Sequence, residues 1–255
     1  MILRRIADGI KNQDWFVVFV ELMIVVVGIY LGLQVDDWNQ EREAAARSKI
    51  YYERLIGDLE TGKEADLIRI TYYEQTTKHG LAALKALNTP GAELGEQFLI
   101  DVYQVTQSLP YDPHRNTYDE LLASGIANAI PDHLLRAKLA NFYNALGLLG
   151  TVLAEQTGLR DTLRKYLPFE IQAAIREKCG DHISFSEDFL LRLELSESCE
   201  LGLRPEEIAE AVKSLEGYVD LKKDIIRKLS DLQVKLQILE ELLTPVDAII
   251  LGLRG

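Results

Sequence analysis

The run "WFVVFVELMIVVVGIYLGL", from Trp15 to Leu33, constrains this chain more than any other segment. Apart from Glu21, every residue in it is apolar or small. At ~1.5 Å per residue, a helix over this run spans ~28 Å, close to the hydrocarbon thickness of a bilayer. Trp15 and Trp38 bracket it, with Tyr30 near its far end; such amphipathic rings favour the headgroup boundary. A buried helix of a soluble protein usually breaks its apolar run with polar positions. A cleaved signal peptide has a shorter apolar core and a small-residue site just after it, but here Ala44-Ala45-Ala46 follows only after a charged stretch. The expectation is an uncleaved transmembrane helix over 15–35, a short flank over 1–14 and an aqueous domain over 36–255.

An ionised carboxylate in hydrocarbon costs several kcal/mol, so Glu21 needs to be neutral, paired or facing a wet or protein-lined space. Val25, Gly28 and Gly32 follow Glu21 on one helical face. Gly28-x-x-x-Gly32 is a small-xxx-small pair that lets two backbones approach closely. The favoured reading makes Glu21, Gly28 and Gly32 a self-association face. The competing one lets Glu21 snorkel toward the headgroups near Trp15.

Among the remaining residues no second run is long enough to span. The chain carries a net charge of −12, which argues against nucleic acid as a partner, since phosphate binding needs a basic surface. Arg4, Arg5 and Lys11 precede the run, whereas Arg42, Arg47 and Lys49 follow after Asp36 and Asp37. This bias favours a cytoplasmic N-terminus and an aqueous domain on the other side.

Cys179 and Cys199 are the two cysteines. A hairpin near 181–196 that pairs Ile183 with Leu195 and Phe185 with Leu193 also sets Cys179 opposite Cys199, which favours a disulfide and an oxidising compartment. A short helix from Ser186, or two free buried thiols, are the alternatives. Cys179-x-x-His182 with Cys199 offers three zinc ligands but lacks the usual paired spacing, so no metal or cofactor is expected.

The rest reads as helical, giving an all-α fold: one transmembrane helix followed by an antiparallel helical bundle. The segment after Asp36 has no proline until Pro90, with room for a break near Gly62. Thr117-x-x-Glu120 has the form of a capping box, and Gly125 suits a helix end. A helix from Pro131 is interrupted by Pro168. The clearest pattern predicts one long helix from Pro205 to Thr244, closed by Pro245. Its stripe is Ile208, Val212, Leu215, Val219, Ile226, Leu229, Leu232, Leu236, Leu239 and Leu243. His114, in "YDPHRNTYDE" beside Asp112, Arg115 and Asp119, marks a polar site or a satisfied loop and helix cap. No P-loop, G-x-S-x-G, H-E-x-x-H or dinucleotide glycine pattern occurs, and no catalytic residue stands out.

The segment "VELMIVVVGIYLGLQVDDWNQERE" resembles the N-terminal signature of an uncharacterised bacterial family of single-span membrane proteins, a domain of unknown function. The matching residues are Glu21, Gly28, Ile29, Gly32, Leu33, Gln34, Trp38 and Asn39. A second block, "TYDELLASGIANAIPDHLLRAKLANFYN", is similar through Thr117, Leu121, Ser124, Gly125, Leu135 and Tyr143. The resemblance implies a membrane anchor with a helical domain and supplies no catalytic residues. The expected function is a non-enzymatic scaffold or partner-binding protein of the bacterial inner membrane, self-associating through its span. Its expected partners are membrane lipid, further copies of itself and an unidentified protein. The alternatives are an extracytoplasmic ligand-sensing bundle, an oligomeric pore and an enzyme with an unrecognised site.

Overall fold

The computed structural model describes residues 15–91, 93–124, 130, 132–186, 191–196 and 199–254, with the backbone alone for Trp15–Val18, Glu21 and Ala44. Gly125 and Pro131 lie outside the described residues. The fold is all-α, about 78% helical, with one small antiparallel sheet. Helix α1 covers Trp15–Asn88 and runs through Gly62, where the sequence left room for a break. It is followed by α2 (Glu96–Gln104), α3 (Asn116–Ala123), α4 (His133–Ala154), α5 (Leu159–Tyr166) and α6 (Phe169–Cys179). Strands β1 (His182–Phe185) and β2 (Leu191–Glu194) precede α7 (Pro205–Glu216) and α8 (Leu221–Arg254). The chain divides into two compact units, 1–51 and 52–255.

Within 52–255, α8 packs on α4 and α5, and α2 packs on α6 and α7. One apolar core gathers Leu99, Tyr103, Leu163, Ile175, Leu215 and Ile225, among others, from α2, α5, α6, α7 and the start of α8. From Tyr52 onward α1 meets its neighbours through polar ties. Lys63 bonds Asp247 at 2.6 Å, Arg254 pairs with Glu60, and Arg54 Nη1 bonds Glu120 at 3.0 Å. At Gly80 the approach is so close that a Cβ would lie 2.7 Å from both Leu229 and Val105 side-chain carbons.

The long C-terminal helix departs from expectation in three ways. First, it is two helices. Gly217 caps α7, the Tyr218 ring stacks on Tyr166 with centroids 5.2 Å apart, and the Tyr218 hydroxyl donates to Asp224 at 2.5 Å. Second, Pro245 lies inside α8 rather than closing it. An interior proline costs ~3 kcal/mol. The burial of Val246, Ile249, Ile250 and Leu253 beyond it, each worth ~1.5–3 kcal/mol, outweighs that. Third, the buried face is Leu221, Ile225, Lys228, Leu232, Lys235, Leu239, Leu242 and Val246, so two lysines occupy positions expected for apolar residues. Ile226 stays 46% exposed and Val219 87% exposed.

The two lysines are accommodated differently. Lys235 donates to the Glu155 carbonyl, the C-cap of α4, and lies 3.2 Å from Asp231 Oδ2. It thus satisfies an orphan carbonyl where the helix dipole favours a cation. That carboxylate contact is an ion pair without hydrogen-bond alignment, since Asp231 Oδ2 has no hydrogen-bond partner. Lys228 is 2% exposed. Burial, reinforced by Lys235, lowers its ammonium from the usual lysine range to about 8.

The capping box at Thr117 and Glu120 does not form. Arg115 is the N-cap of α3 and makes no side-chain cap. Asp58 of α1 accepts the Thr117 N–H at 2.8 Å instead, while Glu120 faces Arg54. A carboxylate from another helix thus satisfies the α3 N-terminus. In α4 the cap is local: Asp132 accepts from Leu134 N at 2.8 Å and Leu135 N at 3.2 Å. The helix expected to run on to Pro168 ends at Ala154, and α5 begins at Leu159.

The hairpin register is shifted by two residues from the expected one. Ile183 pairs with Leu193 and Phe185 with Leu191. A two-residue shift keeps each side chain on its face. Leu195 leaves the ladder because its N–H donates to Gln75 of α1 at 2.9 Å and its side chain is buried.

Leu232 is fully buried on α8. Leu232→Asp should destabilise the protein by ~3–5 kcal/mol in chemical denaturation, as a charge forced into a core does. Ile226→Asp on the same helix should change stability by less than ~1 kcal/mol.

Candidate functional site

The first part of α1 presents an apolar surface from Phe19 to Leu33. Every described large apolar side chain from Phe19 to Trp38 is exposed, right around the helix. This is the helix among the described residues that is long and apolar enough to cross a membrane by length and composition. A Cβ built at Gly28 or Gly32 meets nothing within 4 Å, so both positions are open. The side chains of Glu21 and Trp15 lie outside the described residues; their helix places Glu21, Gly28 and Gly32 along one face. Just beyond, the Arg42 guanidinium sits 5.1 Å from the Trp38 ring centroid, and Gln40 donates to Asp36 at 2.8 Å.

Cys179 and Cys199 are joined as a disulfide, with Cα atoms 5.5 Å apart. The bridge is not a rung of the hairpin. Cys179 is the last residue of α6, and its carbonyl accepts from Gln104 of α2. With both sulfurs bonded, neither is free as a thiolate for zinc. Among the described residues no group of three or more His, Cys, Asp or Glu side chains is placed to hold a metal.

The polar cluster around His114 is rearranged relative to the sequence. Arg115 Nε bonds Asp119 at 2.9 Å within α3. His114 instead turns to α1, where Gly62 leaves room for it: a Cβ there would lie 3.4 Å from the His114 Cβ. The His114 backbone is left-handed, φ 45°, and its N–H donates to Asp112 at 3.3 Å. The small cavity at this junction is lined by Asp58, Asp66, Tyr111, His114, Phe142 and Tyr143, among others. Asp66 is buried and accepts from Arg69 at 3.2 Å. Arg69 also donates to the Pro110 carbonyl and lies 5.0 Å from the Tyr111 ring. Burial outweighs the Arg69 charge and pushes the Asp66 carboxyl up to about 6. The Tyr143 hydroxyl is buried with no hydrogen-bond partner, and burial followed by the Asp58 charge raises its pKa. Asp58, Asp66, Arg69 and Tyr143 carry no local motif. The carboxylates of "DLETGKEAD" read as solvated, whereas Asp66 is buried; the 58, 66, 69 spacing on α1 is the one signal that joins three of these residues.

A larger recess, about 520 Å³, lies between α4 and α8. Phe142, Ala145 and Leu149 face Ile238, Leu242, Pro245, Ala248 and Ile249 across it, with Lys138, Asn141 and Glu241 at its edge. Elsewhere His79 Nδ1 lies 2.8 Å from Asp101 Oδ1, which also accepts from Gln97 at 2.9 Å. The pair ties α1 to α2, as a satisfied polar contact does.

The raised Asp66 pKa has a stability consequence. The folded state holds the proton between about 4 and about 6, where the unfolded state has released it. The stabilisation is therefore full below about 4 and lost as pH rises through about 6. Urea denaturation at pH 4 to 7 should show this decline in the parent, at most about 3 kcal/mol. Asp66→Asn should flatten it.

The chain matches no family model, no curated protein and no solved structure.

Proposed function

We propose that this chain is a single-pass protein of the bacterial inner membrane. Its N-terminus is cytoplasmic, its aqueous domain extracytoplasmic, and it works as a non-enzymatic, partner-binding scaffold. The observation that carries the reading is the helix surface from Phe19 to Leu33, apolar apart from Glu21 and with its described side chains uncovered. Such a helix in water would expose far more apolar area than a soluble chain tolerates, whereas lipid satisfies it on every side. The disulfide suits an oxidising compartment, and the basic flank suits a cytoplasmic N-terminus. The resemblance to a single-span bacterial family points the same way.

For partner binding the support is the β1–β2 hairpin. Ile183 and Phe185 are both 64% exposed on a two-stranded sheet, whose outer edges offer backbone groups to an added strand. For self-association it is the open face at Gly28 and Gly32. A ligand-sensing bundle is the second reading, favoured by the buried Tyr143 hydroxyl, without a hydrogen-bond partner among the described residues, in the cavity that Asp58 and Asp66 also line.

Alkaline carbonate should leave the full chain in the membrane pellet, and protease added outside spheroplasts should digest the 52–255 unit. Extraction into the supernatant would sink the anchor, and protection from protease would reverse the orientation.

Self-association has its own test in the full chain, by cross-linking in membranes. Gly28→Leu should abolish cross-linked oligomers, because it blocks backbone approach. Glu21→Gln should keep them, because an amide preserves the hydrogen bond. Oligomers undiminished in Gly28→Leu would remove this face and leave snorkelling as the account of Glu21.

A further inference from the structure

We infer that the recess between α4 and α8 binds a single acyl chain with an anionic head, a fatty-acid-like ligand. The volume, about 520 Å³, falls within the ~300–1,000 Å³ of small-molecule sites. Its floor is apolar and buried at Phe142, Leu242 and Ile249. From Ile238 to Ile249 it follows three turns of α8, ~16 Å at ~1.5 Å per residue. Its lining is mostly apolar, the polar side chains being Lys138, Asn141 and Glu241.

The edge supplies the head-group chemistry. Lys138 and Asn141 lie one turn apart on α4, both exposed, and make no hydrogen bond or ion pair among the described residues. The carboxylate on the other wall, Glu241, already accepts from Gln237 at 2.9 Å. Among the described residues, the Lys138 ammonium and the Asn141 amide are the donors in this lining that fit a carboxylate or another small anionic head. Pro245 contributes an apolar ring to this wall. Each methylene taken from water into the slot contributes ~0.8 kcal/mol. The inference uses the 52–255 unit alone and stands whether or not 15–35 crosses a membrane.

The test uses the full chain in phosphatidylcholine nanodiscs and hexadecanoate carrying a photoreactive diazirine. Cross-linked peptides are mapped by mass spectrometry. Labelling should fall on peptides containing Phe142–Leu149 and Ile238–Ile249, and unlabelled hexadecanoate should compete it away. Ala145→Trp, which fills the recess from an exposed position, should abolish that labelling while leaving the thermal midpoint unchanged. Lys138→Glu should weaken competition by hexadecanoate about fivefold, the scale of one exposed ion pair, and Lys138→Arg should preserve it. Undiminished labelling in a folded Ala145→Trp chain would overturn the inference. So would labelling confined to 15–35, or protein–protein cross-links through Ala145 that hexadecanoate does not displace, which would assign the recess to a second copy.

Discussion

The buried face of α8 sets the terms for the rest of the 52–255 unit, because it includes two ammonium groups. An unpaired buried charge is among the costliest features a core can hold. Lys235 is tolerated because it reaches the carbonyl that ends α4, with Asp231 beside it. That single donor fixes where α4 must stop relative to α8 and so helps to set the spacing of the two helices. Lys228 has a different solution: burial and its like-charged neighbour lower its affinity for a proton. The cationic pair makes this seam a more demanding match than an all-leucine stripe, which many partners would satisfy equally.

From Tyr52 onward α1 is the second organiser. Asp58 caps α3, Asp66 holds Arg69 under the Leu109–Arg115 segment, Gln75 takes the N–H of Leu195, and His79 meets Asp101. One helix therefore supplies polar partners to four other segments. Each bond is modest, ~0.5–1.5 kcal/mol net, but each would leave a buried or half-buried group orphaned if lost. Gly80 is the complement of this arrangement, since it lets Leu229 and Val105 come close where a side chain would stand in the way, while Gly62 packs at contact distance from His114. The left-handed His114 belongs to the same economy of space: its strained backbone lets the loop close over Gly62.

The functional reading joins three physical facts. The apolar surface of α1 from Phe19 to Leu33 is uncovered. A disulfide suits an oxidising compartment. The α4–α8 recess is mostly apolar, with Lys138 and Asn141 in its lining. In the proposed topology the aqueous unit lies beside a bilayer, which is also the natural source of an acyl ligand. The exposed hairpin and the recess use different elements, so a partner and a ligand need not compete.

Much of the helical layout was legible from residue order alone. The apolar run, the basic flank, the acidic balance and the helix-forming composition are local or summed properties, and they determined an all-α fold. Residue types sufficed also to bring Cys179 and Cys199 under suspicion as a pair, though the hairpin lay two residues out of the expected register. What the chain order did not carry were decisions made by partners far away in sequence. Pro245 reads as a stop, yet α8 continues because burial beyond it outweighs the lost hydrogen bond. Thr117 and Glu120 read as a local capping box, yet Asp58 and Arg54 take those roles. Leucines at 229, 236 and 243 read as the core stripe, yet the buried face also takes Lys228 and Lys235, because a carbonyl waits for one of them. Periodicity reports which residues share a face. It does not report which face finds a matching surface, and that match is a property of the tertiary structure alone.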